Sequence, residues 1–143
     1  WDTLLFFYGV VMCVGGLGYI GYLEMLSVGL YGSGNPTFAN VILGLMSSVV
    51  DNIPVMFAVL TMEPAMSHGQ WLLITLTAGV GGSLLSIGSA AGVALMGQAR
   101  GYYTFAGHLK WAPVILLGYG ASVVTHLYLN AHLFDVFSSA AAH

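Results

Sequence analysis

Four long apolar runs make up most of this chain, and the few polar positions between them set where elements begin and end. The first, residues 4 to 31, is rich in glycine and aromatics, carries Glu24, and has the length of one full membrane span, which needs about 20 residues. Gly32-Ser33-Gly34-Asn35-Pro36 is a dense turn signal that ends it. The second run, 37 to 63, is interrupted by Asp51-Asn52-Ile53-Pro54. A proline inside a helix removes a backbone hydrogen bond and restricts the residue before it, so two half-helices meeting near Asp51 are expected rather than one straight span. Residues 64 to 70 read as a polar loop, and Trp71 opens the third run, 71 to 99, at a membrane-interface position. Gly79 to Gly92 in that run is crowded with glycine and serine, a composition that either unwinds where it lines a cavity or packs closely against a neighbour. A loop over 100 to 110 holds Arg100, His108 and Lys110, and a last span runs from Trp111 to about Leu133.

Composition fixes the class. Charged residues are 5% of the chain and hydrophobic residues 58%, with a mean hydropathy of +0.90, outside the range of soluble domains. The alternating pattern of an outer-membrane barrel is missing, so the expected fold is all-α, an integral membrane helical bundle. Both cations lie in the 100 to 110 loop, which the positive-inside bias places in the cytoplasm, with 64 to 70 on the other side. A re-entrant path for 37 to 63 would put 32 to 36 outside as well, whereas a full crossing would put it inside. The chain opens at Trp1 with no initiator Met and no signal-peptide pattern, and is expected to be a piece of a larger protein. The closing Ser138-Ser139-Ala140-Ala141-Ala142-His143 reads as an appended tail. Cys13, the single cysteine, excludes an intrachain disulfide and is expected as a small buried hydrophobe. No basic patch suggests nucleic acid.

The chemistry concentrates at Asp51. An ionised carboxylate at bilayer depth costs at least about 2.5 to 3.5 kcal/mol, so chains that keep one there generally use it. A broken apolar segment paired with a second interrupted segment is the sequence pointer to a transporter site near the membrane midplane. Small hard cations such as Na+ and Li+ take oxygen ligands. Asp51 offers a carboxylate, Asn52 an amide oxygen, and Ser47, Ser48, Ser83, Ser86 and Ser89 offer hydroxyls, while unwound backbone supplies carbonyls. A low-dielectric setting favours the neutral form of a carboxyl group, so a proton and a metal ion can compete for one oxygen. The structural alternative is an Asp that caps a helix at a kink and serves only packing. Glu24 is a candidate second proton-binding group, Glu63 a boundary residue, and His126 a hydrogen-bonded packing residue rather than a pH sensor. His126 and His132 are six residues apart, which does not stack them on one face, and no metal centre or cofactor is expected.

The run LMSSVVDNIPVMFAVL followed by GVGGSLLSIGSAAGVALMGQARG resembles the second half of the NhaD-type sodium/proton antiporters, within the wider ion transporter superfamily that also holds arsenite permease-like and dicarboxylate carriers. The likeness runs through residues 36 to 113. It implies two inverted repeats, each with a re-entrant hairpin and a discontinuous helix, of which this chain would hold the second. On that reading 1–35 is a transmembrane scaffold helix, 36–63 the hairpin with Ser48, Asp51 and Asn52 near its tip, 64–110 the broken helix and its flanking loops with Gly88 and Ser89 near the break, and 111–137 the final helix. The implied activity is exchange of Na+ or Li+ for H+ by a homodimer in the inner membrane, with the first repeat supplying the other half of the site. Two other readings stand beside it: an anion or dicarboxylate carrier of the same fold, and a non-transporting membrane subunit. An enzyme is not expected, since no nucleophile and base pair is recognisable.

Overall fold

The computed structural model describes residues 2–32 and 34–134, and every regular element among them is helical. The eight helices are α1 (Asp2–Tyr19), α2 (Tyr22–Tyr31), α3 (Pro36–Met46), α4 (Asn52–Met62), α5 (His68–Gly81), α6 (Ala90–Gln98), α7 (Phe105–Leu109) and α8 (Ala112–Leu129). The expected tail at 138–143 and the end of the last expected segment lie outside the described residues.

The first apolar run is not the single helix expected for it. Val11–Tyr19 and Tyr22–Tyr31 meet at 84°. The turn is made at Gly21, whose φ of 77° is left-handed and costs a residue without a Cβ little. Cys13, expected in the interior, is exposed on α1. The 100 to 110 stretch, read as loop, contains the short helix α7, started by Thr104, whose hydroxyl accepts a hydrogen bond from the Gly107 amide at 3.1 Å.

The second run divides into α3 and α4. Asn35 caps α3 by accepting from the Phe38 amide, and Pro36 follows in the first turn, where its missing N–H costs nothing. Both α3 and α4 have 11 residues, roughly 16 Å of helix, so neither alone spans a hydrocarbon core of about 30 Å. Of the individual described helices, α8 alone is long and apolar enough to cross, and the bent α1–α2 pair qualifies if taken as one span. Most large apolar side chains of α8 are exposed, Leu117 by 76% and Val124 by 66%, a surface suited to lipid or to another protein.

Packing centres on α3 against α5, the most extensive helix pair. Asn40, Leu43, Gly44 and Ser47 share one face of α3, and Gln70, Ile74, Thr77, Ala78 and Gly81 share one face of α5, both at helical spacing. A Cβ on Gly81 would run into the Gly44 carbonyl, and one on Gly44 would run into Thr77 and Tyr119, so the helices cross at backbone contact. The apolar core of Leu43, Val59, Met66 and Ile74 lies alongside and joins α4 to this pair. Trp71, expected at the membrane interface, packs against that core.

Candidate functional site

Two helix breaks meet at the centre of the chain. After Met46 the backbone turns through residues 47 to 50, with Ser48 N bonded to the Leu45 carbonyl and Val50 N to that of Met46, and α4 restarts at Asn52. After Gly81 it leaves the helix for residues 82 to 89, and α6 restarts at Ala90. Gly88 in the second break lies against the first: a Cβ there would be 2.7 Å from the Ser47 carbonyl oxygen and closer still to that of Ser48. A Cβ on Gly82 would stand 2.9 Å from the Gly88 carbonyl oxygen, 3.4 Å from that of Ala78 and 3.5 Å from Ser47 Oγ. The Ser47 and Ser48 carbonyls of the first break therefore face the backbone of the second, with no side chain of residue 88 between them.

Asp51 is the N-cap of α4, and its Oδ1 accepts a hydrogen bond from the Ile53 amide at 3.2 Å. The cap foreseen in the structural reading of this residue is present, and it uses one of the two carboxylate oxygens. Oδ2 finds no protein donor among the described residues. Pro54 sits in the first turn of α4, where proline is tolerated. Asn52, half-buried, lines a cavity of about 270 Å³ with Ile53, Met56, Phe57 and Leu60.

The serines have different positions. Ser47 is fully buried and its hydroxyl donates to the Ala78 carbonyl at 3.0 Å, tying the first break to α5. Ser48 is half-buried beside Gly88. Ser86 is buried, with Oγ 3.4 Å from Met96 Sδ, and Ser89 caps α6 by accepting from the Gly92 amide at 3.1 Å. Ser83 stands apart from the meeting point: its side chain is exposed and donates to the Val80 carbonyl at 2.7 Å, and its own carbonyl is bonded by His108.

Glu24 is not part of this surface. It is exposed and lines a cavity of about 680 Å³ with Ser27, Thr61 and Glu63, at the far end of α4. Asp51 and Glu63 cap opposite ends of that helix, which puts them about 18 Å apart along it. Glu63, read from sequence as a boundary residue, therefore shares a cavity with Glu24.

A second polar group went unnoticed in the sequence. Asn40, wholly buried, donates through Nδ2 to Gln70 Oε1 at 2.9 Å and to the Gln70 carbonyl at 3.0 Å, and its Oδ1 accepts from Tyr31 Oη at 2.9 Å. Gln70 Nε2 in turn donates to Thr37 Oγ1 at 2.6 Å, and Thr77 Oγ1 donates to the Asn40 carbonyl at 2.9 Å. Every buried side-chain polar atom among the described residues is satisfied, so this network clamps α3 to α5. The spacing of Asn40, Gly44 and Ser47 along one face of α3 was the available signal. On α8, Tyr119 Oη donates to the Val41 carbonyl at 2.8 Å. His126 Nε2 donates to the Gly69 carbonyl at 3.1 Å while Nδ1 accepts from Asn130, the packing role expected of it.

The family model described as Citrate transporter matches residues 1–79. A Na(+)/H(+) antiporter NhaD of Alkalimonas amylolytica is 75% identical over 96% of this chain, and one of Halomonas elongata is 74% identical over the same share. Sodium/proton antiporter 1 of Arabidopsis thaliana is 33% identical over 92% of the chain and matches over 24% of its own length. The chain spans about 28% of the length of the two bacterial relatives. No solved structure matches it.

Proposed function

The chain belongs to the citrate transporter family, a family of membrane transporters rather than enzymes, and on that premise we propose that it is part of a secondary transporter exchanging Na+ or Li+ for H+. The observation that carries this is the 75% identity, over nearly the whole chain, to proteins named as Na+/H+ antiporters. What supports it in the geometry is Asp51 at the head of α4, where the first break ends, and the close approach of Gly88 in the second break to the Ser47 and Ser48 carbonyl oxygens. Asp51 binds cation and proton in alternation, and the alternation is the exchange. Asn52, Ser48 and the Ser47 and Ser48 carbonyls facing Gly88 complete the shell, with Ser47 tying the first break to α5 and Ser89 capping α6, while the Ser86 hydroxyl is turned to Met96 Sδ. Ser83 falls outside the ligand set. Glu24 serves as a separate proton group in the cavity it shares with Glu63.

In the same proposal 36–63 is a re-entrant hairpin and 68–98 a discontinuous helix. An inverted first repeat supplies the facing half of the site, and two copies of the transporter associate in an inner membrane with loop 100–110 in the cytoplasm. A second reading follows from the description of the matching family itself, that of an anion carrier in which a bound cation bridges Asp51 to a carboxylate substrate.

The test is proton flux in liposomes containing the full-length transporter, measured on adding Na+, Li+ or citrate, beside Asp51→Asn. Asparagine caps helices as well as aspartate does, so this variant keeps the start of α4 and removes only the charge. Cation-driven flux that falls to background in the variant is the expected result. Flux that survives the substitution would remove Asp51 from the mechanism, and flux that needs citrate would select the second reading.

A further inference from the structure

The most unusual polar contact outside the meeting point of the breaks is made by His108. This residue lies in α7, inside the loop that carries Arg100 and Lys110, yet its Nε2 is 2.9 Å from the carbonyl oxygen of Ser83, 25 residues earlier. A carbonyl can only accept, so Nε2 carries the proton. The other ring nitrogen, Nδ1, is 2.7 Å from Tyr103 Oη, and in the neutral ring the tyrosine must donate to it. The Tyr103 ring also meets the imidazole edge-on, with centroids 5.8 Å apart and planes at 71°. Both nitrogens are thereby committed, and the orientation of the ring is fixed from two sides.

The partner is as informative as the histidine. Ser83 lies just past the end of α5, where carbonyls lose their helical donors and need others. Its hydroxyl is already occupied by the Val80 carbonyl. The residue before it, Gly82, faces the same surface: a Cβ there would stand 2.9 Å from the Gly88 carbonyl oxygen and 3.5 Å from Ser47 Oγ, so Ser83 is one residue from the place where the two breaks meet.

We propose that His108 is a positioning residue for transport: through the Ser83 carbonyl it fixes the α5 side of the 82–89 break, and so sets cation affinity without touching the cation. The loop thereby gains a mechanical hold on the site. This rests on the cation-exchange reading above, and the test separates the two.

The full-length transporter is reconstituted with His108→Leu, His108→Gln and Tyr103→Phe, and proton flux is followed against Na+ concentration. Glutamine presents an N–H at the reach of Nε2, so it restores the bond to Ser83, whereas leucine has no donor. The half-saturating Na+ concentration rises at least fivefold in His108→Leu, with maximal rate within twofold of the parent. His108→Gln stays within twofold on both counts, and Tyr103→Phe falls between. An unchanged half-saturation in His108→Leu overturns the proposal, as does an equal loss of maximal rate in the leucine and glutamine variants, which would mark loop packing alone. Amide hydrogen exchange over residues 84–89 supplies a readout independent of flux: it speeds up in His108→Leu but not in His108→Gln. If the parent moves no cation, the exchange function fails, and the amide data still decide whether His108 holds the break.

Discussion

Replacing Gly88 by alanine tests whether the contact between the two breaks is the working geometry. The new Cβ would stand 2.7 Å from the Ser47 carbonyl oxygen, against a comfortable carbon–oxygen separation of about 3.3 Å, and closer still to the Ser48 oxygen. The obstacle is backbone on the facing side, so no side-chain rotation relieves it and the breaks must separate by roughly 0.6 Å or more. Overpacking of this kind costs about 1 to 3 kcal/mol. If the cation-bound state needs the breaks in contact, that energy is lost from binding, and half-saturating Na+ rises by about 5- to 150-fold at tenfold per 1.4 kcal/mol. The assay is Na+-driven proton flux in proteoliposomes, with Gly79→Ala as control, since a Cβ at 79 meets nothing within 4 Å. A folded Gly88→Ala transporter whose half-saturation lies within twofold of the parent would refute the reasoning.

Two further substitutions probe the scaffold. Asn40→Leu keeps the branching at Cγ but strips Gln70 and Tyr31 of their partner, and leaving a buried polar group unpaired costs about 1 to 3 kcal/mol, read as reduced stability to denaturant in detergent; unchanged stability would mean that the network clamps nothing. Gly21→Ala places a Cβ at φ 77°, a left-handed conformation that costs about 1 to 2 kcal/mol, and is expected to lower thermal stability and shift the distance between spin labels on α1 and α2; an unaltered distance with unaltered stability would show the bend is not held by that glycine.

Composition alone was enough for the helical membrane class, because few charges and long apolar runs leave no other solution. Helix ends fall at Met46 and Asn52 and at Gly81 and Ala90, inside the stretches where Pro54 and the glycine-serine run raise the cost of continuing a helix. The bend at Gly21 was not legible, since a glycine permits a left-handed turn without demanding one. Nor was the pairing of α3 with α5: Asn40, Gly44 and Ser47 mark a small, polar face, but which helix receives that face is decided by packing and not by spacing. The same limit applies to the serines. Sequence presents Ser83 and Ser86 as equivalent donors, whereas the fold exposes one and buries the other. His108 sits 25 residues from its carbonyl partner, a separation at which no local pattern announces a contact.

The glycine crossing of α3 and α5 divides the molecule unequally in stiffness. Each break joins a helix locked into that crossing to one held more loosely: α4 buries Val59 as its one fully enclosed side chain, and α6 buries none. Backbone-to-backbone contact and a saturated polar clamp leave α3 and α5 no low-energy way to slide past each other. A strain applied at the breaks is therefore taken up by α4 and α6 rather than by the crossing, which acts as a fixed anvil.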